Sequence, residues 1–396
     1  MSPADTIDVD VAVAGAGLTG LSFVAWLERL HAQTGKALPR VRLIDPRPSY
    51  HHDRSWCFWE GVEHPFDAGI VHRWPRWQIA HGDTTVTATA RDHPYALIPA
   101  DHLYRIATDC VARHAEFTLD LGCRVEGIQP TARSVLVHTD QGTIRARTVI
   151  DTRPPSISDA TARKGLWQVF QGAEISLDHD RFDPQTAKLM DFAQATDDIR
   201  FCYTLPTSKR RALVEITAFR READADDLPA RLDTWITDHF GQHATRVRGE
   251  HGQLPMMPLP PPAGGDPRII AAGTAGGWMR PASGYLFSAC QRGARDLAEQ
   301  TLSAKADGTW HWLQPRPRPA DLDLLDRIFL QALRRAPADA PHWFLRLFER
   351  TRGDRPARFL SDAPTLADRI AIIAALPPRP MLQAAGHCLR TARTSP

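Results

Sequence analysis

Three stretches of this 396-residue chain carry side chains, or omit them, in patterns that chemistry requires. The first is Gly15-Ala-Gly17-Leu-Thr-Gly20, preceded by the apolar run Asp10–Ala14 and followed by the helix-forming Leu21–His31. In such a turn the first glycine permits the bend, the second lets the backbone approach a pyrophosphate, and the third allows close helix packing, while the helix N-terminus favours the anion. Asp45 ends a second apolar run, Val41–Asp45, where a carboxylate accepts hydrogen bonds from ribose hydroxyls. An arginine in that place would signal a 2′-phosphate, so FAD or NAD is favoured over NADP.

The second stretch is Gly273-Thr274-Ala275-Gly276-Gly277, after the apolar Arg268–Ala272 and before Pro281 and Ser283-Gly284-Tyr285. A late glycine-rich turn ahead of a helix suits a flavin or its phosphates, and it equally suits an ordinary strand-to-helix loop. The third is Glu215, a lone carboxylate among Ala212, Leu213, Val214 and Ile216. Turned inward, it would be costly to bury charged, so desolvation would raise its pKa and keep it protonated, as a general acid requires. Strand alternation also allows it to face water, opposite Val214 and Ile216.

The elements that must hold these residues follow from periodicity. Residues 10–45 read as strand, turn, helix and strand, a βαβ unit. An aromatic-rich stretch and the alternating Thr84–Ala90 interrupt it, a helix covers Ala100–Glu116, and two strands flank Gln141-Gly142 up to Asp151. Gln168–Phe170, Ile199–Leu205 and Ala212–Phe219 form a second, antiparallel sheet, closed by the proline- and glycine-rich loop Pro255–Gly265. Arg268–Ala272 then returns to the first sheet, with a helix from about Ser283 to Leu302. The remainder is helical, with Leu324, Leu325, Ile328, Phe329, Ala332 and Leu333 on one apolar face. The expected fold is α/β: a discontinuous Rossmann-type dinucleotide domain (1–50, 100–155 and 266–304), an inserted antiparallel β-sheet substrate domain (51–99 and 156–265), and a helical C-terminal region (320–396). A hydride-transferring dehydrogenase runs βαβαβ without such an insertion, so FAD is preferred to NAD.

Composition bounds the alternatives. Apolar residues at 43% and charged residues at 24% describe a globular chain with a core. A net charge of +2 gives no field that would imply nucleic-acid binding. The six cysteines form no C-x-x-C pair and no zinc spacing, so no metal site is expected. Met1–Asp10 lacks a signal sequence and the longest apolar run, Ile370–Leu376, is too short to span a bilayer, which predicts a cytoplasmic protein with at most peripheral membrane contact.

Separated motifs coincide with one family. Gly15–Gly20, Asp53-Arg54-Ser55-Trp56-Cys57-Phe58-Trp59, Val149–Pro154, Phe201–Pro206, Ala212–Phe219, Glu250 with Gly252–Met256, and Gly273–Gly277 with Pro281, Gly284 and Tyr285 resemble the FAD-dependent lycopene cyclases, particularly their bacterial branch. The resemblance implies an isomerase that needs reduced FAD, with NAD(P)H as reductant, and closes the ψ-ends of lycopene into β-ionone rings without net redox change. It makes Glu215 the essential acidic residue, with either that carboxyl or the reduced flavin as the proton donor, places Arg54 with the Asp53–Trp59 segment on a flavin- or substrate-facing loop, and assigns Gly273, Thr274, Ala275 and Gly276 to the cofactor. Some relatives carry a second acid directly after the glutamate; here that position is Ile216. The flavin hydroxylases of the same fold carry Gly-Asp in the late loop, where this chain has Gly273-Thr274. The alternative is an FAD-dependent monooxygenase or polyene reductase using NAD(P)H.

Two aromatic groupings remain. Trp56, Phe58, Trp59, Trp74 and Trp77 could stabilise a carbocation and line an apolar tunnel, or pack a β-layer. Residues 313–396 hold 14 Arg, no Lys and 8 acids, beside Trp343, Phe344, Leu345, Leu347 and Phe348. That suits a helix resting on an anionic membrane surface, at the inner face, and fits equally a helical subdomain with those residues inside.

Overall fold

Continuous burial and alternation separate two kinds of strand. The computed structural model describes residues 7–192, 198–242, 244–259, 265–310 and 312–393; residues 1–6 of the acidic start, 260–264 of the proline- and glycine-rich loop and 394–396 lie outside them. β1 (Val9–Ala14) and β2 (Val41–Asp45) are apolar on both faces and nearly wholly buried, which demands a parallel sheet with cover on both sides. They pair in parallel. β8 (Phe117–Leu121) lies outside β2, while the C-terminal half of β11 (Gly142–Asp151) lies on the other side of β1 and is followed by β17 (Ile269–Ala271). β9 (Val125–Pro130) and β10 (Val135–Thr139) add an antiparallel extension to the first half of β11. Strand order therefore reverses at β1, and the crevice beyond its carboxyl end is where α/β sheets bind ligands.

Helices α1 (Leu18–Thr34) and α5 (Phe287–Asp307) pack together through Leu21, Val24, Leu297 and Ala298. Trp26 Nε1 donates to Gln291 Oε1 at 3.2 Å, and Gln291 Nε2 donates to Ser22 at 2.9 Å, so polar atoms at this helix contact are paired. α2 (Ala100–Arg113) adds Leu103 and Ala107 to the same core. α5 begins later than Ser283 because the turn Arg280–Tyr285, with Gly284 at φ 70°, is held by hydrogen bonds back to Arg280.

The second sheet runs β16 (Thr245–Met256), β12 (Leu166–Ser176), β15 (Arg211–Arg220), β14 (Ile199–Pro206), β13 (Thr186–Phe192), β5 (Arg76–His81) and β6 (Thr84–Thr89). The pairing is antiparallel except between β13 and β5. One face of β15, with Val214, Ile216 and Ala218, packs on Leu228, Leu232 and Ile236 of α4 (Leu228–Phe240). The other, with Leu213, Glu215, Thr217 and Phe219, turns toward a second core. The short α3 (Asp159–Ala162) precedes β12.

Between the sheets lies a third, β3 (Ser55–Trp59), β7 (Tyr95–Pro99) and β4 (His72–Trp74). Its alternation splits the aromatic group: Phe58 stacks on Phe287 in the first core, while Trp59, Trp74 and Trp77 fill the second around Tyr95. That second core is closed by α6 (Ala320–Arg335), α7 (Ala340–Arg350), α8 (Arg355–Leu360), α9 (Leu366–Ala375) and α10 (Pro378–Arg393). Leu325, Ile328 and Phe329 of α6 face it as expected, but Leu324 is exposed.

Here the membrane expectation for α7 is corrected. Trp343, Phe344, Leu347 and Phe348 are buried against the second core, leaving only Leu345 of that group partly accessible. Five of the exposed apolar residues cluster on two helices, Leu366, Ile370 and Ile373 on α9 and Leu382 and Leu389 on α10, spaced three, four or seven apart so that each set shares one helix face. Among the described residues no helix is long and apolar enough to cross a membrane, no group of side chains could hold a metal ion, and all six cysteines are free thiols.

Candidate active site

The glycine turn has the geometry its spacing demands. Gly15 sits at φ 99°, and a Cβ on Gly20 would lie 2.4 Å from the Gly15 carbonyl oxygen, so neither position accepts a side chain without displacement. A Cβ on Gly17 meets nothing closer than Arg47 Nη2 at 4.0 Å, leaving an open face at the N-terminus of α1. The late turn closes on this one: Gly273, at φ 63°, would place a Cβ 2.7 Å from the Thr19 hydroxyl in the first turn of α1. Gly276 would place one 2.5 Å from the Ala271 carbonyl oxygen. Thr274 and Ala275 lie partly exposed between them. The two glycine-rich segments, far apart in sequence, thus form one cradle.

Asp45 is placed differently from the expectation. Oδ2 accepts from Ala16 N–H at 2.8 Å and Arg47 Nη2 at 2.9 Å, and Oδ1 accepts from Arg47 N–H at 3.0 Å and Nε at 2.8 Å. Burial alone would lift this carboxyl, but the guanidinium and the backbone donors carry it below the usual carboxylate range. Its acceptor positions are therefore engaged, and Arg47 is the group that borders Gly17. Arg54 is exposed and paired with Asp53 at 2.8 Å. It connects inward only through a chain in which Tyr104 donates to Asp53 at 3.0 Å and Arg47 Nη1 donates to Tyr104 at 3.0 Å. Arg47, Tyr104 and Tyr50, which stacks on Tyr104 at 4.2 Å, were missed from the sequence; the Asp-Pro-Arg run after β2 was the available signal.

Glu215 faces inward. On β15 it pairs with Tyr203 of β14 on one side and Gly172 of β12 on the other, and Gly172 pairs in turn with Glu250 of β16. Thr217 donates to Glu215 Oε1 at 2.8 Å. Desolvation, reinforced by the negative charge of Glu250, pushes the Glu215 carboxyl up to about 8 against the pull of Thr217. It is therefore an acid that holds its proton at neutral pH. Burial also raises the phenols of Tyr203 and Tyr285 and the thiol of Cys57, each within electrostatic reach of Glu215.

Tyr203 and Tyr285 also line an apolar cavity of about 350 Å³ between the second sheet and the C-terminal helices. Trp59, Phe219, Phe344 and Phe348 supply aromatic walls, and Ile373, Leu382 and Ala385 bring the cavity to α9 and α10. Glu215 is not among the residues that line this cavity; its cross-strand partner Tyr203 is, and so is Tyr285, whose hydroxyl lies 3.4 Å from that of Tyr95. The wall carries one polar spot. Arg280, fully buried, donates to Asp326 of α6 at 2.9 Å and to the Phe359 carbonyl, and Arg318 joins Asp326 at 3.1 Å and Asp362 at 3.1 Å. This network fastens the helices to the segment that follows the late glycine turn.

A sequence profile described as lycopene cyclase protein matches residues 10–386, nearly the whole chain. The chain belongs to the lycopene cyclase family. Among curated relatives of this family member, a lycopene beta-cyclase of Pantoea ananas is 26% identical over 399 residues, covering 97% of this chain and 99% of that protein. Among solved structures, a geranylgeranyl bacteriochlorophyll reductase-like protein of Thermoplasma acidophilum superposes with a TM-score of 0.62 at 14% identity, over 95% of this chain and 98% of the other. A ternary complex of aklavinone-11 hydroxylase with FAD and aklavinone gives 0.57 at 16% identity, over 92% and 71%. At these identities the likeness is one of fold: this cyclase-family chain has the Rossmann-type α/β architecture shared by flavin-dependent reductases and hydroxylases.

Proposed function

We propose that this protein closes the ψ-ends of lycopene, or a related acyclic carotenoid, into β-ionone rings by proton-initiated chemistry, an isomerisation with no net redox change. One observation carries the reading: a carboxyl that keeps its proton at neutral pH lies within electrostatic reach of two tyrosines that line a largely apolar cavity. Glu215 is the source of the proton that reaches the terminal alkene by way of the cavity-lining Tyr203 and Tyr285 hydroxyls; the neighbouring alkene attacks the resulting tertiary cation, and a ring C–H returns a proton to the same path, so protons balance. The aromatic faces of Trp59, Tyr203 and Tyr285 stabilise the passing positive charge, and the apolar wall keeps out the water that would trap it.

FAD fits the glycine cradle. Gly15, Gly17 and Gly20 would receive its pyrophosphate at the start of α1, Arg47, oriented by Asp45, its ribose side, and Gly273, Thr274, Ala275 and Gly276 the flavin end. Bound and reduced, with NAD(P)H as the reductant, the cofactor supplies an electron-rich surface beside the cation. Arg54 contributes through Asp53 and Tyr104 rather than by direct contact.

The substrate is a hydrocarbon held in lipid. Ile373 and Leu382 both line the cavity and face outward, so the exposed apolar faces of α9 and α10 surround its mouth. The exposed Arg379 and Arg390 lie on the same helix hairpin. This supports peripheral docking on an anionic membrane surface, at its cytoplasmic face, through α9 and α10.

The test is stoichiometry. Anaerobic holoenzyme, its flavin reduced once, converts lycopene into cyclic isomers over many turnovers without consuming further reductant. Oxygenated or hydrogenated products, formed with one reductant per turnover, would replace this reading with the monooxygenase or polyene reductase.

A further inference from the structure

Some family members carry two adjacent acids in the catalytic strand, and Ile216 removes that possibility here. The fold supplies a second carboxylate from a different strand. Glu215, Gly172 and Glu250 form one cross-strand row, and Gly172 is the residue between the two glutamates. A Cβ at Gly172 would lie 3.2 Å from Glu250 Cγ and 3.4 Å from Glu215 Cγ, so both side chains lean over the glycine on the same face. Any larger residue would separate them.

Glu250 is buried and held on its far side. Arg248 Nη1 donates to Glu250 Oε2 at 2.6 Å, the Ser55 hydroxyl donates to the same oxygen at 2.8 Å, and Arg248 Nη2 donates to Ser55 at 2.7 Å. Two side chains, Arg248 from β16 itself and Ser55 from β3, therefore hold this carboxylate by hydrogen bonds, one of them from a matched cation. The other groups around Glu215 do not supply a competing charge. Tyr203 from β14, Tyr285 from the late turn, and Cys57 from β3 with Tyr95 from β7 are neutral groups kept so by burial. On β12, Glu174 is engaged by Arg248 and Arg211; on β13, Lys188 pairs with Asp191 on the far side of β14; His52 faces Arg248.

We propose that Glu250, pinned by Arg248 and Ser55, is a positioning residue for the ring-forming reaction: its fixed negative charge across Gly172 keeps the working proton on Glu215. This rests on the reading of Glu215 as the acid. Glu250 has the Arg248 guanidinium against it where Glu215 has the Thr217 hydroxyl, and that difference decides which of the two is the acid.

The experiment is a kcat–pH profile of holoenzyme on lycopene for the wild type, Glu250→Gln and Glu250→Asp, with FAD content and KM recorded. In Glu250→Gln the alkaline limb moves down by at least one pH unit, a tenfold loss at a fixed pH above it, with FAD content and KM unchanged. Glu250→Asp, which keeps the charge, holds the limb near the wild-type position. An unmoved limb in Glu250→Gln, or the same displacement in both variants, overturns the proposal. Where Glu250→Gln yields no holoenzyme, Gly172→Ala decides. Its methyl would stand 3.2 Å from Glu250 Cγ and 3.4 Å from Glu215 Cγ and part the two carboxyls, so the alkaline limb moves down as in Glu250→Gln although Glu250 is kept; a limb at the wild-type position overturns the proposal. Ring closure retained by Glu215→Gln sinks the acid assignment itself, whereas an inactive Glu215→Gln beside an unmoved Glu250→Gln limb sinks only the role of Glu250.

Discussion

Glu215→Gln should make the protein more stable and inactive at once. The acid is held near 8 in the fold against an ordinary value of 4.5, so between those limits the folded protein binds a proton that the unfolded chain releases. Stability of the wild type is then highest below pH 4.5 and declines as pH rises toward 8, at about 1.4 kcal/mol per unit. Glutamine cannot ionise and escapes that decline. Relative to wild type, the variant should gain under ~1 kcal/mol at pH 5, about 3 kcal/mol at pH 7, and nothing more once pH passes the folded value. Urea unfolding of the two holoenzymes in a pH series reads this directly, beside ring formation from lycopene. A variant less stable than wild type at pH 7, or a difference flat from pH 5 to pH 8, would refute the buried-acid argument whatever happened to activity.

The glycines should separate binding from folding. Gly17→Val has room for its side chain and should fold while losing bound flavin, read from the visible spectrum after gel filtration; full retention of FAD would contradict the cradle. Gly20→Ala, whose methyl would meet the Gly15 carbonyl oxygen at 2.4 Å, should lose soluble yield instead. Asp326→Ala leaves Arg280 and Arg318 buried beside an unpaired site and should cost about 3–5 kcal/mol in chemical unfolding, with a loss under ~1 kcal/mol counting against the network. Ile370→Asp with Leu382→Asp should weaken binding to vesicles of anionic and zwitterionic lipid by about tenfold per residue in a flotation assay, and unchanged binding would move the docking face elsewhere.

Legibility from sequence followed the range of the physics. The Gly15–Gly20 turn, β1, α1 and β2 were readable because a tight turn, a buried parallel strand and a helix each write a local signature within a few residues. Strands β10 and β11 around Gln141-Gly142 were readable for the same reason. The twelve-residue β16 was not, since Thr245–Gly252 alternates charged and small residues that gain burial only beside β12. For helix α7 the sequence left a membrane surface and a packed subdomain equally open, because an apolar face looks the same whether lipid or protein covers it. The structure covers α7 and leaves α9 and α10 bare.

By itself the sequence determined where a backbone must bend without side chains, which segments must be buried, and that one carboxylate stands in an apolar strand; these depend on residues near one another along the chain. Tertiary structure decided which face of β15 Glu215 occupies, that Arg47 takes up the acceptors of Asp45, that Tyr203 and Tyr285, near the acid, line the cavity, and that Glu250 leans toward it across Gly172. Desolvation and charge act through space over a few ångströms, and those ångströms join strands separated by tens to hundreds of residues, so only the folded chain sets the proton's address.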